Sequence, residues 1–371
     1  MRFLTAGESH GPCLVGIVEG FPAGVTIDVT AINQDLARRQ QGYGRGGRMQ
    51  IEQDEVQILT GLWNGVTIGS PITLQIINQD HANWAGKHHL PLTLPRPGHA
   101  DFAGSLKYGF QDVRNVLERS SARETAMRVA VGSLAKQLLQ KFGISSAVHV
   151  VRIGKAALTG GPWAFADLAK AEDSPVRCID PEVSQAMIRE IDEAKAQGDS
   201  LGGIFEIQIK GLPVGLGSYV HWDRRLDGKL AGALMSIPGI KGVEIGAGFA
   251  AAAEPGSEIH DELFYEEGRG YYRKTNRAGG IEGGISNGEN IVLRAAMKPI
   301  PTLMRPLRSV DLVTKESGDA SVERSDTCAV PAAAVVGEMV ALTVITQEFL
   351  RVFGADSLEE MERRWSEFQS R

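Results

Sequence analysis

The sequence predicts an antiparallel α+β fold, on three observations. Strand-like runs rich in β-branched residues follow one another without an intervening helix, which favours antiparallel pairing over alternating βαβ units. Five other segments have the apolar spacing of helices. The chain has 371 residues, of which 43% are hydrophobic and 23% charged. It can therefore bury a large core, in one domain or two.

Caps, apolar spacing and terminating glycines predict the helices in chain order. Thr30 caps the first, which ends before Gly42. Ser121 and Glu124 form a capping-box pattern for the second, which ends at Gly143. The remaining three are predicted over 181–197 (with Asp180 as cap), 331–353 and 357–368. An apolar stripe on the last helix is expected to pack on the body or on another subunit: Leu358, Met361, Trp365 and Phe368.

Strands are predicted in eight runs between these helices. They cover 14–18, 25–29, 56–59, 72–77, 147–153, 204–209, 243–245 and 291–295. Two polar, Gly-rich segments, 41–53 and 255–288, are predicted to be mobile loops, because long loops of this kind usually close over ligands.

Composition excludes several classes of protein. The formal net charge of −6 argues against a nucleic-acid or acidic-membrane binder, which usually carries a basic face. Cys13, Cys178 and Cys328 have no spacing that suits zinc, and an odd, unpaired set fits a reduced cytoplasm. The start of the chain lacks a signal pattern. The apolar run around 335–345 is interrupted by Glu338 and predicts a buried helix rather than a membrane span.

Four distant stretches carry clustered histidine, arginine, serine and acid residues. They are GESHG at 7–11, RPGHAD at 96–101, RSSARET at 119–125 and RSD at 324–326. Packing alone does not require such clusters, so they predict one site that binds anions and moves protons. His10 and His99 lie on Gly-rich or Pro-Gly turns, which favours proton transfer over a structural role.

Three further motifs remain open between a ligand contact and an ordinary structural role. The helix start at Ser120, Ser121 and Arg123 predicts an anion site, or simply a capped helix with solvated arginines. The GYGRGG stretch at 42–47 lacks the preceding strand and following helix of a dinucleotide-binding fingerprint. The preferred interpretation is a loop that brings Arg45 and Arg48 to an anionic ligand. An RNA contact and a solvated loop are the alternatives. KPIPT at 298–302 predicts a phosphate or ring contact, or a turn.

Seven motifs in order over nearly the whole chain resemble chorismate synthase. They are GESHG, RPGHADF, RSSARETAMRVA, GVEIGAGF, GGIEGGISNG, KPIPT and RSDTC. The resemblance implies a 1,4-anti elimination of phosphate from 5-enolpyruvylshikimate 3-phosphate to give chorismate. It implies reduced FMN as cofactor in a reaction that has no net redox change. It leaves open whether the protein also reduces its flavin with NADPH, as an added activity. It also implies a single large domain, a β-α-β sandwich with helices packed between antiparallel sheets, assembled as a homotetramer.

The resemblance also assigns site residues. The catalytic residues are His99 beside the leaving phosphate, His10 near flavin N1, and Asp326 relaying the proton to flavin N5, a role that suits an apolar, closed setting. The positions implied to contact FMN are Arg119, Ser120, Ser121, Pro238, Gly239, Gly283, Lys298, Pro299, Ile300, Pro301, Thr302 and Arg324. Those implied to contact NADP or substrate are Arg39, Arg45, Arg48 and Arg123.

Two departures from the family pattern weaken specific contacts. Ser325 stands where many members have histidine, so any role of that histidine is absent here. Pro238-Gly239 replaces a common Asn-Ala or Gln-Ala pair, so a side-chain contact there is in doubt. Two other functions remain as alternatives: a flavin reductase that uses NADPH, and a non-catalytic anion- or RNA-binding module.

Overall fold

Two antiparallel sheets enclose a layer of helices in a computed structural model of the chain, which describes residues 1–46, 52–87, 89–323 and 325–370. The buried apolar side chains of both sheets and of the helices form one continuous core. All the strand pairs among the described residues are antiparallel. The predicted α+β class and sandwich are therefore confirmed.

The first sheet has four strands in the order β1-β2-β4-β3. They are β1 (Arg2–Ala6), β2 (Cys13–Glu19), β3 (Val56–Thr60) and β4 (Ile72–Ile77). Alternate side chains of β4, those of Ile72, Leu74 and Ile76, are fully buried. This period of two directs one face of the sheet to the helices and leaves the other to solvent.

The second sheet has five strands in the order β8-β9-β7-β5-β6. They are β5 (Ser145–Ile153), β6 (Ala156–Ala157), β7 (Gly203–Lys210), β8 (Ile240–Ile245) and β9 (Ile291–Met297). In β7 the run from Phe205 to Ile209 is buried at every position, so this central strand is covered on both faces.

Eight α-helices of seven residues or more lie in the described part of the chain. They are α1 (Val29–Gln40), α2 (Asp101–Tyr108), α3 (Arg114–Ser120), α4 (Thr125–Gln140), α5 (Pro181–Ala196), α6 (Leu226–Met235), α7 (Val330–Phe353) and α8 (Leu358–Gln369). Helix α4 packs on the first sheet and α7 on the second, and the two pack on each other. This contact forms the middle layer.

Helix α7 is long and apolar enough to cross a membrane by length and composition, but its most apolar 18-residue stretch is 94% buried inside the protein. It meets α4 at Gly132, where a Cβ atom would lie 2.4 Å from Met339 Cβ. Only glycine permits this approach of the two helices, because no real Cβ comes so close to another atom. The buried helix predicted over 331–353 is confirmed, since α7 begins one residue earlier and ends at the same residue.

Most of the predicted elements are confirmed, with four corrections. The cap of α1 is Asp28, whose side chain accepts from the Thr30 N–H, rather than Thr30. The strand predicted at 25–29 is wrong, since this segment forms only an isolated bridge at Thr26 before α1 begins. The segment 255–288 contains a short helix and two β-hairpins rather than an irregular loop. Strand β1 and helices α2, α3 and α6 were not predicted.

The apolar stripe of α8 packs within its own chain. Met361 is fully buried, and the Trp365 ring lies 5.1 Å from that of Phe353 and 5.5 Å from that of Phe349. Of the two alternatives open for this stripe, packing on the body is the one that the structure shows.

Candidate active site

The four clustered motifs meet at one cavity of about 650 Å³. Its walls come from the turn before β2, the segments that lead into α2 and α7, the start of α4, and the chain before β8 and after β9. Among the described residues, its polar lining is Ser9, His10, Arg39, Arg45, Arg96, His99, Arg119, Ser120, Ser121, Arg123, Glu124, Thr125, Arg128, Lys298, Thr302, Glu323, Ser325 and Asp326. The volume lies within the range of about 300–1,000 Å³ of small-molecule sites.

His10 is fixed on three sides at the edge of this cavity. Its Nδ1 lies 2.7 Å from Glu118 Oε1, and its backbone N–H donates to the other oxygen of the same carboxylate at 2.7 Å. The imidazole also packs on the Trp84 ring, with 4.0 Å between the centroids. Trp84 lies at the end of a short helical turn (His81–Trp84) and lines the cavity. The ring of His10 is therefore held in one orientation.

His99 is held by a buried carboxylate. Its Nδ1 lies 2.5 Å from Asp101 Oδ1, and Arg96 donates to the same carboxylate through Nε at 2.8 Å. Burial opposes the ionisation of Asp101, but the hydrogen bonds from His99 and Arg96 outweigh it and hold the pKa of this carboxyl well below its usual range. Arg96 also donates to Thr302 Oγ1 at 2.9 Å, so the segment 298–302 is tied to the same cluster.

The arginines at the back of the cavity are paired with buried acids. Arg123 donates to Asp54 and, at 3.5 Å, to Glu52. Arg39 lies 3.6 Å from the second oxygen of Asp54. Burial, partly offset by Asp54, lowers the pKa of Arg39 to about 10, and the cations Arg123 and Arg45 act in the same direction. The buried acids thus compensate for the positive charge of Arg39 and Arg123, which reduces the free-energy cost of burying these side chains.

Asp326 has two polar partners in the first part of the predicted loop 41–53. Its Oδ1 accepts from the Gly46 N–H at 2.6 Å, and its Oδ2 lies 2.8 Å from Arg45 Nη1. One fifth of its side chain is exposed. The apolar, closed setting expected for this acid is therefore wrong, since Asp326 is an ion-pair partner that anchors 41–46 against the start of α7.

The helix start at 119–125 combines a capping hydroxyl with side chains that are already engaged. Ser121 Oγ accepts from the Arg123 N–H at 3.3 Å and from Ser9 Oγ at 3.1 Å. Ser120 donates back to the Val116 carbonyl, while Arg119 donates to the carbonyls of Thr5 and Gly7. The motif thus serves as a cap and as part of the cavity wall.

An apolar wall faces these polar groups. It consists of Leu117, Ile237, Pro238, Met297, Pro299, Ile300, Pro301, Ala329, Ala332, Ala333 and Val336. The Lys298 N–H bonds the Gly239 carbonyl at 2.9 Å, which joins two of the predicted FMN segments. Burial, with the nearby Lys241, lowers the pKa of Lys298. A flat ring with an acidic substituent fits such a mixture of apolar and cationic surface.

The predicted site residues are gathered at this cavity with three exceptions. Arg48 and Arg324 lie outside the described residues. Gly283 lies in the turn between Ile281–Glu282 and Ile285–Ser286 and does not line the cavity. In the part of the chain that the structure describes, no group of three His, Cys, Asp or Glu side chains is placed to hold a metal ion.

Sequence reasoning missed the residues that hold the histidines and arginines. They are Glu52, Asp54, Trp84, Asp101 and Glu118. Asp101 belongs to a predicted motif, but not as the partner of His99. The one available signal is the spacing His99-Ala-Asp101, which places a carboxylate two residues after a histidine. Glu118 lies within RNVLERS, where helical spacing gives no sign that its side chain reaches His10.

Comparisons with known proteins agree on one family. The family model described as chorismate synthase matches residues 1–350. The chain is 62% identical to the chorismate synthase of Alkaliphilus metalliredigens (strain QYMF), covering 100% of this chain and 99% of that protein. It is 57% identical to that of Desulforamulus reducens, covering 100% and 98%. A crystal structure of chorismate synthase superposes with a TM-score of 0.83 at 42% identity, covering 100% of this chain and 97% of the other.

Proposed function

The chain belongs to the chorismate synthase family, and we propose that its cavity eliminates phosphate from 5-enolpyruvylshikimate 3-phosphate to give chorismate, with reduced FMN as cofactor. The observation that carries the proposal is the convergence of His10, His99 and several cations on one cavity of about 650 Å³. The reaction needs these elements, because a proton and a phosphate must leave a substrate that carries two carboxylates and a phosphate.

Anion binding falls to four arginines, of which Arg39, Arg45 and Arg123 already have acidic partners. Arg39, Arg45, Arg48 and Arg123 contact the substrate or NADP in this proposal. A guanidinium has five N–H donors in a rigid fork, so a group that bonds a carboxylate on one side can still donate to a phosphate on the other. Asp54 and Glu52 then hold Arg39 and Arg123 in place before the ligand arrives, which favours binding without reorganisation.

The residues present fit reduced FMN. Pro238, Pro299, Ile300 and Pro301 belong to the apolar wall, and together with Arg119, Ser120, Ser121, Gly239, Lys298 and Thr302 they would hold the flavin. Arg324, outside the described residues, belongs to the same proposed set. Bound reduced flavin supplies an electron-rich ring that assists the elimination and is not consumed. Gly283 is outside the cavity, so its contact requires another conformation or a second subunit.

Proton transfer falls to three side chains. His99 donates to, or stands as a cation beside, the departing phosphate, since neutralising the growing charge makes expulsion easier. His10 would lie near flavin N1 and set the protonation of the reduced ring. Asp326 accepts the proton that leaves the substrate carbon and relays it towards flavin N5, and the ion pair with Arg45 positions its carboxylate.

The decisive experiment measures phosphate release from 5-enolpyruvylshikimate 3-phosphate under strictly anaerobic conditions. Release is expected with reduced FMN and not with oxidised FMN or without flavin, and equal release in all three arms would contradict the proposal. A fourth arm with NADPH and oxidised FMN, and no other reductant, tests the added flavin reductase activity. We also propose a cytoplasmic homotetramer, for which light scattering should give four times the 39.9 kDa chain mass.

A further inference from the structure

Both histidines of the cavity have a carboxylate at Nδ1, on different elements of the fold. We infer that Glu118 and Asp101 are positioning residues that hold His10 and His99 in the tautomer whose Nε2 faces the cavity. The inference rests on the proposed function for its catalytic consequence, but its structural content can be tested separately.

The assignment of the proton follows from the partners. A carboxylate can only accept, so a ring nitrogen at 2.7 Å from Glu118 or 2.5 Å from Asp101 must carry the hydrogen. In a neutral imidazole the other nitrogen, Nε2, is then an acceptor that can take a proton from the site. At His99 this nitrogen lies 3.4 Å from Arg96 Nη2, which can donate to it. Arg96 Nη2 lies 3.0 Å from His99 Nδ1, but an arginine cannot donate to a nitrogen that already bears hydrogen.

Each carboxylate is itself held in place by a second donor. The backbone N–H of His10 binds Glu118 Oε2 at 2.7 Å, and the backbone N–H of Arg96 binds Asp101 Oδ2 at 3.1 Å. In both pairs, one oxygen faces the histidine ring and the other accepts from a fixed backbone N–H group. Asp101 has two further donors from Arg96, because Nε bonds Oδ2 at 2.8 Å and Nη2 bonds Oδ1 at 3.1 Å. Two of the three Arg96 donors therefore bond Oδ2. This geometry decides which way an amide would turn if it replaced the acid.

The replacement of either acid by its amide should therefore invert the tautomer. In E118Q the amide oxygen is needed for the His10 N–H, so the new NH₂ group faces Nδ1 and converts it into an acceptor. In D101N the amide oxygen is needed for Arg96, with the same result at His99. The hydrogen then moves to Nε2, which can no longer accept a proton from the cavity. The role of His99 as a donor or cation requires hydrogen on both ring nitrogens, and an NH₂ group facing Nδ1 opposes this. Loss of the correct tautomer costs roughly 10⁴-fold in kcat in serine proteases when the partner aspartate becomes asparagine.

The charged surroundings of the two rings differ. The Arg114 guanidinium lies 5.2 Å above Trp84, on whose ring His10 packs, and His89 stacks on the same indole at 4.3 Å. The side chain of His81 bonds the His10 carbonyl at 2.9 Å. Beside His99, the cations are Arg96 and Lys298, the latter bound to the Gly98 carbonyl. Glu118 and Asp101 are thus the anions that compensate for nearby positive charge.

A matched control exists on the surface. His221 Nδ1 lies 2.7 Å from Asp223 Oδ1, with the same two-residue spacing as His99 and Asp101. Both side chains of this pair are more than half exposed, and neither residue lines the cavity. D223N therefore makes the same chemical change at a solvated histidine and should leave turnover unchanged.

The test combines a spectroscopic readout with kinetics. Solid-state ¹⁵N NMR of protein labelled at the histidine ring nitrogens distinguishes the two neutral tautomers, and difference spectra against H10A and H99A assign the two rings. We expect the Nδ1–H form of His10 to become Nε2–H in E118Q, and that of His99 to change likewise in D101N. Each variant should lower kcat by roughly 10²-fold or more, with KM within a few fold.

Several outcomes decide the inference. Unchanged tautomers in both variants would overturn it, and so would inverted tautomers with normal kcat. Should E118Q fail to fold, as judged by thermal melting, D101N and His99 provide the same test on a different element. If the unaltered protein shows the Nδ1–H tautomers but releases no phosphate, the positioning role stands and the proposed function fails, so the two failures are distinguishable.

Discussion

Replacement of Asp326 by asparagine should affect catalysis far more than binding. In the structure the carboxylate bonds the Gly46 N–H at 2.6 Å and Arg45 at 2.8 Å. An asparagine oxygen can still accept from Gly46, but it cannot form the ion pair or carry a titrating proton. The variant therefore removes two distinct contributions, and their sizes can be estimated separately.

The ion pair is the smaller contribution. A hydrogen bond to a charged group is worth about 1.5–3 kcal/mol, whereas an exposed pair is worth about 0–1 kcal/mol. The side chains of Arg45 and Asp326 are 12% and 20% exposed, so the value should fall between these limits, at about 1–2 kcal/mol. That corresponds to roughly 5–30-fold weaker anchoring of residues 41–46. Loss of a positioned proton acceptor costs roughly 10²-fold or more in turnover.

Anaerobic steady-state kinetics with reduced FMN separates the two contributions. D326N should lower kcat by roughly 10²-fold or more, with a smaller rise in the KM for substrate. R45M is the matched control, because it breaks the same ion pair and leaves the carboxylate in place, so its main effect should be on KM. If D326N instead keeps its kcat at saturating ligand and merely matches the KM change of R45M, Asp326 is only an anchor and another residue must accept the proton.

Three further predictions concern the site, the core and the assembly. H99A should lower turnover by roughly 10²-fold while flavin still binds, and near-normal turnover would remove His99 from the mechanism. G132A should destabilise the fold by about 1–3 kcal/mol in denaturant unfolding, because the new Cβ meets Met339. The control is G232A in α6, where nothing lies within 4 Å of the new Cβ atom. It should stabilise the fold by up to about 1 kcal/mol. Changes of the same sign in the two variants' free energies of unfolding would contradict this reasoning. W365A should lower the melting temperature without changing the mass by light scattering, whereas dissociation would show that the α8 stripe also joins subunits.

The elements that the sequence predicts well have strong local signals. Helix α5 begins where its cap predicts, because the Asp180 side chain accepts from two free N–H groups of the first turn. Helix α6 lacks such a signal: its N-cap is Arg225, which makes no side-chain capping bond, and glycine interrupts its apolar pattern at Gly228 and Gly232. Its helical state depends on tertiary packing of Leu226, Leu230 and Leu234, which a local pattern does not reveal.

The segment 25–29 shows the opposite error, because its local pattern predicts a strand that the structure does not form. Val25 and Ile27 alternate with polar residues, as in a half-buried strand, and both are buried. Their backbone is not paired as a strand, since the Val25 N–H bonds the Thr67 side chain and the Ile27 N–H bonds the Gly65 carbonyl. Alternating burial predicts which side chains face the core, but it does not require a neighbouring strand.

The same limit applies to the site, where the sequence predicts the cations better than the acids that hold them. Arg39 and Arg123 are predicted from their motifs, whereas Glu52 and Asp54 lie in a polar stretch that looks like solvated surface. Yet the structure buries both acids, at 1% and 5% exposure, because an unpaired guanidinium in the interior would cost several kcal/mol. Whenever motifs predict several arginines in one water-poor site, charge balance thus predicts buried acids beside them. In this chain Asp54 balances Arg39 and Arg123, and Glu52 adds a second acid beside Arg123.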